Sequence, residues 1–76
     1  MDARTRERLV HAKELFEHDD FSGAEPLLRE IVEKHEGLAD VHDMLGVIAH
    51  ARGDLVIAEE RFERALAINP GYTEAA

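Results

Sequence analysis

Seventy-six residues without a cysteine make one small domain (residues 1–76) with a thin core, because a chain this short buries only about 60% of the surface that its unfolded form exposes. No disulfide can brace it, and no thiolate can ligate zinc or act as a nucleophile. Nine Lys+Arg against 17 Asp+Glu give a formal net charge of −8, which repels phosphate backbones and anionic lipid and argues against nucleic-acid and membrane partners.

Helical periodicity runs along the whole chain, and Ala, Leu, Glu and Arg dominate its composition. The N-terminal MDARTRERLV has no apolar stretch behind it, so no signal peptide is expected, and no apolar run approaches the ~18 residues of a membrane span. With cysteine absent, the expected location is cytoplasmic. From about Ala3 to His18, Leu9, Ala12, Leu15 and Phe16 share one helical face, and His18-Asp19-Asp20 breaks the helix. From about Phe21 to His35 the stripe is Ala24, Leu28, Ile31 and Val32. Ser22 and Glu25 have capping-box spacing, which sets Pro26 in the first turn, and Gly37 is placed to end the helix in a left-handed conformation. From about Ala39 to Ala51, Val41, Leu45, Ile48 and Ala49 face inward. Gly53 then supplies a tight turn and Asp54 the next cap. From about Leu55 to Ile68, Ala58, Phe62, Ala65 and Leu66 turn inward, and Pro70 and Gly71 stop the helix. No stretch alternates with period two for long enough to predict a strand.

The two halves match at an offset of 34 residues: Asp20 with Asp54, Phe21 with Leu55, Ala24 with Ala58, Leu28 with Phe62, Val32 with Leu66, Ala12 with Gly46 and Gly37 with Gly71. Each pair keeps size or role, and a helix-turn-helix unit of this period marks one repeat architecture. The chain resembles two tetratricopeptide repeats, about 5–38 and 39–72. In the second, Leu45-Gly46, the Gly53-Asp54 turn, the small–aromatic–small ladder Ala58, Phe62 and Ala65, and Pro70 match the family pattern. His42 and Ala49 stand where the family usually has tryptophan and tyrosine. The first repeat keeps Ala12, Ala24 and the turn before Phe21, but has Arg8 and His11 in place of large apolar residues. The resemblance implies an all-α fold of antiparallel helix-turn-helix repeats, four helices stacked as a short right-handed solenoid. Close packing of two helices needs small residues at the crossing, and Gly46 and Ala58, with Phe62 beside them, suit that role.

Val41, Leu45 and Ile48 become Glu7, His11 and Glu14 in the first repeat, so its outer face reads as an end that meets water. GYTEAA begins a further repeat and stops, with residues 73–76 as the start of a truncated helix or a tail. The expectation is a fragment of a longer array, or a core completed by a partner such as a second copy. Val56 and Ile57 stand where repeat one has Ser22 and Gly23. Val56 projects nearly opposite the buried stripe, which suggests a self-association or partner surface with Phe62 and Leu66.

By the resemblance, the first helix of each repeat lines a concave protein-binding groove: Arg6, Leu9, Lys13, Phe16 and Glu17, then Asp40, Asp43, Met44, Val47 and His50. Its mixed charge and apolar floor suit a peptide or helix. Leu9 and Met44 replace polar members of the carboxylate clamp found in some relatives, and only Lys13 remains, which argues against a chaperone-tail function. The five histidines show no HExxH and no i, i+4 pair, so they read as solvent-facing or rim groups rather than as zinc ligands. No phosphate loop or nucleophile–base constellation is present, so neither enzyme activity nor a cofactor is expected. The leading expectation is a protein-interaction scaffold. The alternatives are a homodimer or other homo-oligomer assembly element and a histidine-based metal- or small-molecule-binding regulatory domain.

Overall fold

The computed structural model describes residues 2–70, and all of its regular structure is helical: α1 (Ala3–Glu17), α2 (Phe21–Lys34), α3 (Ala39–Ala51) and α4 (Leu55–Ile68). The protein is therefore all-α. The expectations placed on Gly71, Tyr72 and the rest of GYTEAA lie outside the described residues. The chain divides into two compact units, Met1–Glu36 and Gly37–Ala76. In the first α1 packs on α2, and in the second α3 packs on α4.

In the first unit the two helices run antiparallel, because Arg8 near the start of α1 forms an ion pair with Glu30 near the end of α2. Lys34 approaches the same carboxylate at 3.9 Å, one helical turn on. Ala12, Ala24, Leu28, Ile31 and Val32 are buried, while Leu9, Leu15 and Phe16 are only half-covered. α1 is capped by Asp2, whose Oδ1 accepts from the N–H of Thr5 at 2.8 Å, and Thr5 itself is buried. Hydrogen bonds from the Thr5 side chain and backbone, with smaller help from the charges of Lys34 and His35, hold the Asp2 carboxyl below the ordinary aspartate range. The cap is thus fully present above that range and is lost as pH falls through the lowered value.

In the second unit Val41, Leu45, Ile48 and Ala49 of α3 and Ala58 and Ala65 of α4 are buried, as their periodicity predicts, and Phe62 and Leu66 are half-buried. The closest approach is at Gly46. A Cβ built there would lie 2.6 Å from Phe62 Cε1 and 2.8 Å from Cδ1, so only glycine lets the ring sit against the α3 backbone.

Both units turn their corner in the same way. α1 ends with Asp20 N–H donating to the Leu15 carbonyl at 2.8 Å and Asp19 N–H to that of Phe16 at 3.0 Å. α3 ends with Asp54 N–H donating to Ala49 at 2.9 Å and Gly53 N–H to His50 at 3.0 Å. These are paired helix-ending bonds around one left-handed residue, and every partner is displaced by 34 positions. The left-handed residues are Gly53 at φ 85° and Asp19 at φ 61°.

Four local expectations are corrected. The cap of α2 is Asp20, whose Oδ1 accepts from Gly23 N–H at 3.1 Å, and Ser22 lies inside the helix, so the Ser22–Glu25 capping box does not form. Because α2 starts at Phe21, Pro26 is its sixth residue, beyond the first turn. Gly37 is not left-handed: α2 stops at Lys34, His35 leaves the helix with φ −135°, and a turn at Glu36 and Gly37 leads through extended Leu38 into α3. Asp54 occupies the cap position of α4, but its side chain makes no cap hydrogen bond. A Cβ at Gly23 would lie only 3.0 Å from the Asp20 carboxylate, and the matching position beside Asp54 is Ile57.

Candidate functional site

Arg6, Leu9, Lys13 and Phe16 recur at three- and four-residue spacing along one face of α1. Arg6 and Glu17 are exposed and Leu9, Lys13 and Phe16 half-buried, so this face offers basic groups over partly covered apolar ones. On α3, Asp40 and His50 are exposed, while Asp43 and Val47 are half-buried. Met44 departs from the expected lining: it is only 7% exposed and belongs to the core of its unit.

His42 departs further. Expected at the surface, it is only 1% exposed, among the best-covered side chains of the protein. Arg61 Nη1–H of α4 points to its Nδ1 at 3.4 Å. The buried ring stands where the tetratricopeptide pattern that the sequence resembles has a large aromatic. Its burial was visible in the sequence only as that substitution, because histidine sits inside or outside with similar ease. Among the described residues no three His, Asp or Glu side chains are placed to hold one metal ion.

The two corners differ in what covers them. In the first unit Phe21 lies against Phe16, ring centroids 5.5 Å apart at an interplanar angle of 36°. In the second, His50 and Leu55 stand at those positions, and Leu55 is 60% exposed. Val56 and Ile57 follow at 72% and 49%, against Ser22 and Gly23 in the first unit. The apolar group at the head of α4 is therefore three residues long, one more than Val56 and Ile57 alone. Phe62 and Leu66 lie on the inward side, half-covered.

Among the described residues each unit carries a cleft. One of about 390 Å³ in the first is lined by Arg4, Glu7, Arg8, His11 and Leu27. The other, of about 560 Å³, lies on the outer side of α4 by Glu60, Glu63, Arg64 and Ala67. No described helix is long and apolar enough to cross a membrane. No family model matches the chain, and comparison with curated proteins and with solved structures returns no match.

Proposed function

We propose that the chain is a non-enzymatic protein-interaction module of tetratricopeptide type, its two repeats forming a short right-handed solenoid that binds a peptide or helix. The observation that carries this reading is the corner geometry, repeated bond for bond at an offset of 34 residues in two units that otherwise differ in sequence. The glycine–phenylalanine approach in the second unit supports it, since that pattern serves close helix pairing and leaves side chains on the outer faces free for recognition. In this reading recognition uses the Arg6–Lys13 face of α1 and the Asp43–Val47 face of α3. Peptides selected from a display library against the folded chain are expected to lose affinity when Lys13→Glu and Val47→Asp are introduced, with helical circular dichroism unchanged. Selected peptides whose binding ignores both substitutions would overturn the groove assignment.

A second reading, a homo-oligomer assembly element, is favoured by the exposure of Leu55, Val56 and Ile57 together with half-buried Phe62 and Leu66. Sedimentation velocity over a wide concentration range separates the two. A sedimentation coefficient that rises with concentration supports assembly, and a constant one supports a module that acts on other proteins.

A further inference from the structure

The head of α4 is apolar, but the face that continues from it is acidic. At about 100° per residue, Glu59, Glu60 and Glu63 all fall within about 60° of Val56 around the helix axis. All three are exposed, and no Lys or Arg falls in that arc, since Arg61 and Arg64 lie farther round. Leu55 and Ile57 flank Val56 on either side. Val56, the most exposed large apolar side chain described at 72%, thus stands at the head of a stripe of carboxylates.

We propose that this outer face of α4 docks a cationic amphipathic helix from another protein. The aliphatic residues of that helix would cover Leu55 and Val56, and its lysines or arginines would meet Glu59, Glu60 and Glu63. Charge decides the occupant. A second copy presenting the same face would set three carboxylates against three, a like-charge contact that disfavours a two-fold pairing. A cationic helix gains from the stripe, and the net charge of −8 steers it towards the protein. The cleft lined by Glu60, Glu63, Arg64 and Ala67 holds two carboxylates against one guanidinium and gives the cationic side chains a place to enter. The proposal rests on the reading of the chain as a protein-binding module, but uses a different helix face from the groove.

The test uses the full chain and three synthetic peptides of one helical pattern: Lys/Leu, Lys/Ser and Glu/Leu. Binding is followed by fluorescence anisotropy at low and at physiological salt. The Lys/Leu peptide is expected to bind at both, and the other two to bind weakly or not at all. Val56→Ser, and separately the pair Glu60→Gln with Glu63→Gln, should each weaken Lys/Leu binding about tenfold. These positions are exposed, so circular dichroism should show the helices intact. Glu14→Gln with Glu33→Gln removes the same charge from exposed positions of the first unit and should change binding little. Equal losses in both charge pairs would reduce the effect to net charge and overturn the proposal, as would Lys/Ser binding as tight as Lys/Leu. Loss on Lys13→Glu or Val47→Asp but not on Val56→Ser would move the site to the groove, overturning this proposal while leaving the module reading intact. A dimer in sedimentation that Val56→Ser dissociates would make the occupant a second copy and overturn it too.

Discussion

At Asp19 the chain bends through a left-handed conformation that costs an ordinary L-residue roughly 1–2 kcal/mol, while the matching position 34 residues later is glycine. The same corner is therefore built once with strain and once without. Asp19→Gly should stabilise the protein by about 0.5–1 kcal/mol, part of the gain being offset by the freer unfolded chain, and Gly53→Ala should cost about 1 kcal/mol. Urea denaturation of the two variants would show opposite signs; equal signs would mean that strain at the corner is not what separates the residues. Gly46 gives a second test. Gly46→Ala gains about 1 kcal/mol of helix propensity but drives a methyl into the Phe62 ring, and overpacking of about 1–3 kcal/mol wins. Adding Phe62→Leu recreates the Ala12 and Leu28 pair of the first unit and should recover part of the loss. A double-mutant cycle with no coupling would count against that contact.

The helices themselves were largely legible. The three- and four-residue spacing of Ala24, Leu28, Ile31 and Val32 specifies which side of α2 is covered, and the bounds of α3 and α4 coincide with their apolar patterns. The caps were less so, because Asp20 and Ser22 are both good capping residues and periodicity cannot choose between them. The 34-residue match of Asp20 to Asp54 was the signal that could have chosen. Pro26→Ala restores a backbone donor opposite the Ser22 carbonyl inside α2, and should stabilise the helix by about 1–3 kcal/mol in thermal or chemical denaturation. Asp20→Ala should cost about 1 kcal/mol, and Asp54→Ala distinctly less, since only the first carboxylate closes a cap. Equal losses would show that the Asp20 hydrogen bond contributes little in water. The buried His42 and Met44 escaped the sequence for another reason: both residue types serve in cores and on surfaces, so only the packing around them decides.

For the molecule as a whole, the excess of carboxylates matters more than any single ion pair. The net charge of −8 divides evenly, −4 in each unit, so repulsion acts inside both. Raising salt from about 0.01 M to about 0.15 M shortens the screening length from roughly 30 Å to roughly 8 Å and should raise the melting temperature. A melting temperature that falls instead would mean that attractive pairs such as Arg8 with Glu30 outweigh the repulsion. The paired corners carry a kinetic consequence as well. Each reverses the chain within three residues, His18–Asp20 and Arg52–Asp54, so a helix meets its partner by closing a very short loop. Contacts of such small sequence separation form early and cheaply. Each hairpin is thus positioned to assemble on the microsecond-to-millisecond scale of local folds, without waiting for distant parts of the chain to find one another.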